Sequence, residues 1–575
     1  MTAPDGGITE TSYPVGAAII DACVDFRPHD NADTTNHPVG AATCRPQNDT
    51  ATTDASVDFR PHDDKAELPV GAAISRPHDN AETANYPVGA ATCRPQNIAD
   101  SVIPPHIDSD TIAAICTASS RDSGDGAIGV VRLSGPGAFP IAGRIFRGKK
   151  PFDKIKPYTI GYGLIYDDLS EHDAVIDEVL ILKMRAPKSY TREDVVEIHC
   201  HAGDEVQRRI LRLAMRCGAR AAEPGEFTKR AFLNGRIDLA QAEAVMDLIR
   251  AKSEAGASVA LRQLEGALSE MLGAARNGLI GLIASLEAFL DFPEHDVEEK
   301  SIDETDGALM RIERGLDKLA GSFEYGRAAR EGVTAVIAGR PNVGKSTLLN
   351  LLAGRDRAIV TDIPGTTRDV IDEYRTLGGF TVRFLDTAGV RETDDAVERI
   401  GVARTIEALG DADLAIIIFG ADEGFTDGDA RLIELSDGKK RVFVINKIDI
   451  APPGAIGGIR DSIKNFASAF PPIIEASLVN GMGLECIEEA VKLLFAGQAV
   501  PGRGEAVLAN ERHYSLILRG LESIRRARAT LGAGLPLEIP IVDMRETLDA
   551  LGEITGETYS EDIIDRIFSE FCVGK

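Results

Sequence analysis

The sequence predicts a multidomain protein of mixed α+β and α/β class, and three observations support this prediction. A chain of 575 residues is too long for a single hydrophobic core. A strand, a glycine-rich loop and a helix follow one another from Val333 to Leu352, in the order of a phosphate-binding α/β module. Helical periodicity runs over Leu239 to Leu290 before this module and resumes over Arg512 to Leu531 after it.

Composition excludes several classes of protein. The 90 acidic and 63 basic residues give a net charge of -27, which argues against a large phosphate-coating surface, so a nucleic-acid partner would need a local basic patch. The sequence has no apolar run near the roughly 18 residues of a membrane span, and no secretory signal at its start. The eight cysteines lack disulfide or zinc-site spacing. We therefore expect a soluble, cytoplasmic protein.

Residues 1–108 consist of irregular repeats. Pro-Val-Gly-Ala-Ala begins at Pro14, Pro38, Pro69 and Pro87, and Arg-Pro-His-Asp begins at Arg27, Arg60 and Arg76. The units are rich in Pro, Gly, Asn and Asp and have little apolar periodicity. This composition predicts a disordered extension, and the histidines of the repeats are interpreted as solvated residues without a metal.

The glycine-rich loop and the helix after it predict a phosphate site. The loop follows the strand-like run Val333 to Ala338. Its backbone N–H groups would cradle phosphates, Lys345 would reach the β and γ oxygens, and the Ser346 hydroxyl would bind Mg²⁺. The candidate nucleotide-binding residues here are Asn342, Val343, Gly344, Lys345, Ser346 and Thr347.

Three later motifs each follow a strand-like run and predict a guanine nucleotide. The Asp386 carboxylate would hold Mg²⁺ through water, and Asp449 would accept hydrogen bonds from the N1–H and 2-amino group of guanine, which adenine lacks. The motifs are Asp386, Thr387, Ala388 and Gly389; Asn446, Lys447, Ile448 and Asp449; and Ala476, Ser477 and Leu478.

A Gly/Thr-rich segment between the phosphate loop and Asp386 is typical of a switch loop that presents Thr367 to Mg²⁺. Its candidate residues are Thr361, Asp362, Ile363, Pro364, Gly365, Thr366 and Thr367. Val390 stands where many GTPases have a glutamine that orients water. Since valine cannot polarise water, we expect either slow hydrolysis or a carboxylate from the acidic stretch 391–398.

Taken together, residues from about Asp110 to Lys575 resemble the MnmE (TrmE) family of tRNA modification GTPases. Besides the nucleotide motifs, four patches carry the resemblance: Asp110 to Ala114 with Val131 to Gly135, Tyr190 to Gly203, Pro224 to Glu243, and the C-terminal Phe571-Cys-Val-Gly-Lys575. Ribosome-assembly GTPases share only the nucleotide motifs, so the combination is specific.

The resemblance implies an α/β folate-binding N-terminal domain that also dimerises, a discontinuous helical domain, and a P-loop (Ras-like) GTPase domain inserted into the helices. We expect the following boundaries: the repetitive extension at 1–108, the N-terminal domain at 109–230, the first helical part at 231–330, the GTPase domain at 331–498, and the second helical part at 499–575.

Several site residues are implied only by the family's motifs. Arg132, Glu197, Arg236 and Lys575 match positions that bind 5-formyl- or methylene-tetrahydrofolate. Arg236 departs from the expected lysine, replacing a point charge by a planar fork. Without the resemblance, Arg132 and Glu197 would also fit a structural ion pair.

The resemblance also implies K⁺ in place of an arginine finger. Asn342 would supply a K⁺ ligand, and Thr361, Ile363 and Thr366 match the loop that closes over the ion. Glu398 matches the carboxylate that positions water. On the residues alone, Asn342 also fits a turn position and Glu398 a solvated helix charge.

Cys572 lies in the family's terminal motif. Its thiol could attack C6 of uridine, but a terminal thiol without an adjacent base is more often structural.

The activity implied by the resemblance is GTP hydrolysis by a homodimer that, with the FAD-containing partner MnmG (GidA), adds an aminomethyl or carboxymethylaminomethyl group to C5 of the wobble uridine of tRNA. The alternative is an RNA-binding ribosome-assembly switch, which would not need Phe571 to Lys575 with Arg132 and Glu197.

Overall fold

The structure of the chain is a computed structural model that describes residues 110–117, 127–169, 174–291, 302–354, 373–385, 407–467, 471–496, 502 and 504–574. The repeats at 1–108, and with them the prediction of disorder, lie outside these residues. Within the described part, two mixed sheets and a helical bundle each have their own core, so the prediction of a multidomain α+β and α/β protein is confirmed.

The first sheet has seven strands. They are β1 (Ile112–Ile115), β2 (Ile128–Ser134), β3 (Phe146–Gly148), β4 (Ile160–Asp167), β5 (Ala174–Met184), β6 (Val195–His201) and β7 (Arg220–Ala221). Their order is β3-β4-β5-β6-β2-β1-β7, and only the β1–β7 pair is parallel. Helices α1 (Ala138–Ile145) and α2 (Asp204–Arg216) pack on one face, and α3 (Glu226–Leu233) packs on the other.

Side-chain alternation separates the two faces of this sheet. In β2, Val131 and Leu133 are buried in the core under α1 and α2, whereas Arg132 between them faces the opposite side. On that opposite side, Phe227 of α3 is buried against Ile112 of β1. The sheet therefore carries a charged residue in a largely covered position beside β1.

Farther along the same face, β4 and β5 are not covered by any described element. Ile160, Tyr162 and Leu180 are 67%, 59% and 44% exposed. Tyr162 stands opposite Leu180 in the β4–β5 ladder, so these side chains form a continuous apolar surface. Soluble chains rarely leave such a surface uncovered, and it therefore has the character of an interface.

The first half of the helical bundle contains five helices: α4 (Leu239–Arg250), α5 (Glu254–Leu264), α6 (Ala267–Asp291), α7 (Ile302–Gly321) and α8 (Phe323–Glu331). The run Leu239 to Leu290 is divided into three helices where the sequence suggested a long helical stretch. The Ser253 hydroxyl caps α5 by accepting from the backbone N–H of Gly256, and Gly266, with φ +96°, separates α5 from α6.

The second sheet has six strands with helices on both faces. Its elements are β8 (Val333–Gly339), α9 (Lys345–Gly354), β9 (Glu373–Leu377), β10 (Phe380–Phe384), β11 (Leu414–Gly420), α10 (Asp427–Leu435), β12 (Lys440–Asn446), α11 (Ala455–Phe466), β13 (Ile473–Glu475) and α12 (Leu484–Ala496). The order is β13-β12-β11-β8-β10-β9, and only β9 is antiparallel to its neighbour. Every residue of β11 is buried, as expected for a central parallel strand covered on both faces.

The helical bundle resumes after this sheet with α13 (Glu511–Gly532), α14 (Glu538–Thr555) and α15 (Glu561–Ser569). Leu272 of α6 and Leu309 of α7 share one buried cluster with Ile517 of α13 and Met544 of α14. Two distant segments of sequence therefore form a single core, and the domain between them is an insertion. No described helix has the length and apolarity to cross a membrane.

The two crossings between the bundle and the inserted domain lie against each other. Helix α8 leads into β8, and residues 507–509 lead back towards α13. The backbone of Gly326 in α8 approaches Leu508 so closely that a Cβ at this position would overlap the Leu508 carbonyl oxygen. The Leu508 N–H also donates to the Ser322 hydroxyl over 3.0 Å.

A buried ionic cluster reinforces this junction. Glu243 of α4 lies 2.6 Å from the Nε2 atom of His513 and 3.0 Å from the Nη2 atom of Arg512, both in α13. Burial alone would raise the pKa of Glu243, but His513 and Arg512 hold it at about 2. The cluster ties the first half of the bundle to the start of the second.

We expect Gly326→Ala to lower the free energy of unfolding by about 1–3 kcal/mol, because the added methyl group must displace the backbone at Leu508. Gly281→Ala, on an exposed and open helical position of α6, is the matched control and should raise stability by up to about 1 kcal/mol. Denaturant unfolding followed by circular dichroism measures both, since the chain has no tryptophan. Equal stability of the two variants would contradict the close packing at this junction.

Candidate functional site

The glycine-rich loop joins β8 to α9 at the carboxyl end of the parallel strands. Asn342 has φ +61° and Gly344 has φ +108°, so the loop turns through two left-handed positions. A Cβ at Gly344 would collide with the side-chain amide nitrogen of Asn446, so only glycine fits there. Val343 is buried, whereas Asn342 and Ser346 are exposed and Thr347 is half-buried.

The Lys345 side chain folds back over this loop. Its Nζ donates to the carbonyl oxygens of Gly339 over 2.9 Å and Arg340 over 2.7 Å. The ammonium group thus lies at the mouth of the loop against two neutral carbonyl oxygens. Phosphate oxygens are stronger acceptors for a lysine than neutral carbonyls, so this arrangement can release Lys345 to an anion.

Two motifs meet at the same loop. The first, the base motif, is Asn446 to Asp449 at the end of β12, and the second is Ala476 to Leu478 after β13. Asn446 is 2% exposed, donates from Nδ2 to the Val343 carbonyl over 2.7 Å, and accepts from the Leu478 N–H over 3.0 Å. The Ser477 hydroxyl donates to Asp449 Oδ1 over 2.7 Å. One buried amide therefore joins segments that are more than 100 residues apart in the sequence.

Asp449 is exposed beside Ser477, and Ala476 is fully buried behind it. The Ser477 hydroxyl occupies one carboxylate oxygen and sets the orientation of the group. An oriented carboxylate next to a phosphate-binding loop can pair with two adjacent N–H donors on a ligand. The arrangement thus suits a base with an amidine-like edge.

Sequence reasoning missed Arg340, the residue after Gly339. Its Nε lies 3.0 Å from Oδ1 of the fully buried Asp429, its Nη1 lies 2.8 Å from Glu423, and its Nη2 donates to the Gly424 carbonyl. The guanidinium thus ties the phosphate loop to the turn before α10. The signal was available in Thr426 and Asp429, which have the spacing of a capping box before a helix and form one.

The turn before α10 also contacts Lys447, the second residue of the base motif. Lys447, at φ +64°, places its Nζ 2.8 Å from Asp422 Oδ2. The hydrogen bond from Lys447 lowers the pKa of the Asp422 carboxyl. Residues 421–429 consequently brace both the phosphate loop and the base motif.

The switch residues, the Asp386 motif and the proposed water-positioning group lie outside the described residues. These are Thr361, Asp362, Ile363, Pro364, Gly365, Thr366, Thr367, Asp386, Thr387, Ala388, Gly389 and Glu398. Their predicted roles stay predictions. The strand that precedes Asp386 is described, and it runs parallel to β8 with Phe384 opposite Ala335.

A second group of predicted residues meets on the first sheet. Arg132 and Glu197 stand opposite each other on β2 and β6, and the Nε and Nη2 atoms of Arg132 lie 2.9 and 2.8 Å from Glu197 Oε1. Their side chains are 14% and 16% exposed. In this structure the two residues therefore form the ion pair that was the alternative to a folate site. A ligand here would either bind Glu197 together with Arg132 or take the place of Arg132.

Two aromatic rings that sequence reasoning missed frame this pair. The Arg132 guanidinium lies 5.5 Å from the ring centroids of both Tyr190 and Phe227. Arg236 lies 4.6 Å from the Tyr190 ring and donates to the Tyr190 carbonyl over 2.8 Å. The structure thus brings Arg132, Glu197 and Arg236 together around Tyr190, with charged and flat surfaces side by side.

The C-terminal motif returns to the same sheet. Val573 bridges to Pro224 ahead of α3, and the Cys116 thiol after β1 donates to the Gly574 carbonyl over 3.2 Å. Phe571 is buried with Phe568 of α15. Cys572 is exposed, and no hydrogen bond or ion pair joins its thiol to another described residue. Lys575 lies outside the described residues.

We expect Arg340→Gln to weaken GDP binding about tenfold, because the phosphate loop loses its ties to Asp429 and Glu423. Arg431→Gln, at an exposed position of α10, is the control and should leave affinity unchanged. Titration with a fluorescent GDP analogue measures the dissociation constants. Unchanged affinity in Arg340→Gln, with the variant folded by circular dichroism, would contradict this role.

Two family models match the chain. The model described as "GTP-binding protein TrmE N-terminus" matches residues 111–236, and the model described as "MnmE helical domain" matches residues 239–572. The second match alone spans more than half of the chain.

Curated proteins are similar over the same region. The tRNA modification GTPase MnmE of Acetivibrio thermocellus is 48% identical over 466 residues, covering 81% of this chain and 99% of that protein. Proteins of the same name from Alkaliphilus oremlandii and Listeria welshimeri are 45% and 44% identical, again over 81% of this chain and 99% of each relative.

Solved structures are similar over shorter stretches. Aquifex aeolicus Era bound to GDP and AlF4 is 26% identical with a TM-score of 0.23, covering 33% of this chain and 66% of that chain. The G domain of the T. maritima FeoB iron transporter is 26% identical with a TM-score of 0.20, covering 28% of this chain and 98% of that chain.

Proposed function

The chain belongs to the MnmE family of tRNA modification GTPases, and from this membership we propose that it hydrolyses GTP and modifies tRNA. It would act with an FAD-containing partner of the MnmG (GidA) type. Together they would add an aminomethyl or carboxymethylaminomethyl group to C5 of the wobble uridine of certain tRNAs. The observation that carries the proposal is the meeting of the phosphate loop and the base motif at Asn446. The proposed location is the cytoplasm.

The nucleotide pocket is proposed to take GTP. Lys345 would leave the Gly339 and Arg340 carbonyls for the β and γ oxygens, and the loop N–H groups would bind the phosphates. Asp449, oriented by Ser477, would accept from N1–H and the 2-amino group of guanine. Adenine would leave that carboxylate unpaired, which supports selection of guanine over adenine.

Two cations are proposed for this pocket. Ser346 and Thr367 would hold Mg²⁺, with Asp386 acting through water, and the exposed hydroxyl of Ser346 at the start of α9 fits this role. Asn342, Thr361, Ile363 and Thr366 would hold K⁺ through oxygen atoms, and the exposed Asn342 at the loop surface fits that donor set. The bound cations would offset the charge that develops on the phosphates during hydrolysis.

Glu398 is proposed to orient the attacking water, because Val390 cannot do so. GTP turnover should fall at least tenfold when K⁺ is replaced by Na⁺ at constant chloride. Glu398→Ala should bind GTP with near-normal affinity and lose at least 99% of turnover, roughly 3 kcal/mol of barrier.

Glu434→Ala, an exposed carboxylate of α10, is the matched control and should hydrolyse GTP normally in K⁺. Phosphate release measured with each cation and each variant decides the assignment. Turnover indifferent to both the cation and Glu398 would show that Asn342 and Glu398 are wrongly assigned.

The first sheet is proposed to bind a 5-formyl- or methylene-tetrahydrofolate. Glu197 would pair with the amidine-like edge of the pterin, while Arg132, Arg236 and Lys575 would meet its oxygens or its glutamate tail. The ring of the half-buried Tyr190 beside Arg132 and Arg236 supports a flat ligand. The bound folate would supply the one-carbon unit.

A homodimer is proposed to form through the N-terminal domain. The exposed side chains of Ile160, Tyr162 and Leu180 on one sheet face support an interface there. For Cys572 there are two hypotheses: the exposed thiol attacks uridine C6, or the residue serves only to fold the C-terminal motif against Pro224.

Loss of the gene should remove the modified wobble uridine from tRNA. Mass spectrometry of tRNA nucleosides from cells with and without the gene tests this proposal directly. A copy of the gene with the intact sequence should restore the modified nucleoside. Unchanged wobble uridine in cells without the gene would overturn the proposal and favour the ribosome-assembly alternative.

A further inference from the structure

One short segment of this acidic chain is strongly basic. Between Arg144 and Lys156 there are six basic residues and one acidic residue, Asp153, whereas the whole chain has a net charge of -27. Nearly half of the residues in this segment are positively charged, so its local field is opposite in sign to that of the molecule.

The fold places this segment at the free edge of the first sheet. It runs from the end of α1 through β3, which pairs with β4 alone among the described strands, into the turn Phe152–Lys154. Phe152 and Ile155 are 2% and 5% exposed and anchor the segment to the core. The lysines around these anchors are exposed: Lys149, Lys150, Lys154 and Lys156.

These four lysines are not neutralised by the described residues, since none of them forms an ion pair there. Helix α13 is also rich in arginine, but three of its arginines are held in ion pairs. Arg525 lies 2.8 Å from Glu313, Arg526 lies 3.0 Å from Asp543, and Arg528 lies 2.7 Å from Asp306. The sheet edge, in contrast with α13, has charge available for a ligand.

A neighbouring loop extends the basic edge. The Tyr158 N–H donates to the Lys183 carbonyl over 2.8 Å, and the Tyr158 hydroxyl donates to the carbonyl of the exposed Arg185 over 2.8 Å. Tyr158 itself is 52% exposed. An exposed aromatic ring among cations suits both phosphates and unpaired bases.

We propose that this basic edge, formed by Lys149, Lys150, Lys154, Lys156 and Arg185, binds the phosphate backbone of tRNA. The inference rests on the proposed function, which makes tRNA the substrate. The edge strand β3 lies four strands from β2, and at about 4.8 Å per strand this separates the basic edge from Arg132 by roughly 20 Å. The edge therefore binds the RNA backbone at a distance from the reacting base. It fixes the position of the RNA without contacts that distinguish its sequence.

A simpler explanation of these lysines is that they protect the exposed edge strand from pairing with another chain. That explanation requires charges only beside β3. Lys154, Lys156 and Arg185 lie beyond the strand, so protection accounts for only part of the cluster. An acidic protein surface is the other class of partner, and separate binding measurements with tRNA and with the FAD-containing partner distinguish it from RNA.

The test compares two full-length variants of equal charge change. The patch variant is Lys149→Gln, Lys150→Gln, Lys154→Gln and Lys156→Gln. The control is Lys318→Gln, Arg431→Gln, Lys464→Gln and Lys492→Gln, at exposed positions on the bundle and the second sheet domain. GTP turnover should be unchanged in both variants.

Fluorescence anisotropy with labelled tRNA across a series of KCl concentrations gives the affinities. The patch variant should bind at least tenfold more weakly than the wild type at about 0.1 M salt. Its log–log salt slope should fall by roughly two to four, because each phosphate contact contributes about 0.7–0.9. The control should lose less than threefold in affinity and keep the wild-type slope.

Patch and control variants that bind tRNA equally well would overturn the inference. It would also be overturned if the patch variant kept its tRNA affinity but lost binding to the FAD-containing partner, which would assign the edge to a protein. The proposed function is tested separately by the wobble nucleosides of cells lacking the gene. Normal dependence of those nucleosides on the gene, together with equal tRNA binding, would leave the function standing and reject this surface.

Discussion

The close contact of Gly326 with Leu508 is the constraint on which the arrangement of this chain depends. At that point the outgoing helix α8 and the returning segment 507–509 lie side by side, so the inserted domain is connected through two adjacent crossings. The salt bridges from Glu243 to Arg512 and His513 lie at the start of α13, close to the same place. A change in the angle between the inserted domain and the bundle must pass through this small, buried and charged region.

A small number of contacts likewise connects the bundle to the first sheet. The C-terminal motif leaves α15 and lies against Pro224 and Cys116, beside the sheet face that carries Arg132 and Glu197. Movement of α15 would therefore be transmitted to the sheet beside the proposed folate pocket through the Val573–Pro224 bridge and the hydrogen bond from the Cys116 thiol to Gly574. The nucleotide pocket is built in a similar way, because the buried amide of Asn446 holds the phosphate loop and the base motif to each other.

Contiguous motifs were predictable from the sequence, whereas contacts between distant residues were not. The segment from Val333 to Leu352 contains a strand, a glycine-rich loop and a helix in order, and the structure has β8 and α9 at these positions. The pairing of Arg132 with Glu197 depends on the register of β2 against β6, which no local pattern specifies. Arg340 was overlooked because its partner, Asp429, lies 89 residues away and is buried only once α10 has packed. The division of Leu239 to Leu290 was signalled by Ser253 and Gly266, but uninterrupted apolar periodicity concealed these breaks.

The split core of the bundle has a consequence for synthesis on the ribosome. About 180 residues separate the end of α8 from the start of α13, so the first five helices emerge well before the helices that complete their core. At typical elongation rates of about 5–20 residues per second, Leu272 and Leu309 wait roughly 10–55 s for Ile517 and Met544. During this interval the inserted domain can fold by itself around its own sheet. The nascent bundle, by contrast, presents unpaired apolar helix faces during this interval, when a chaperone could shield them.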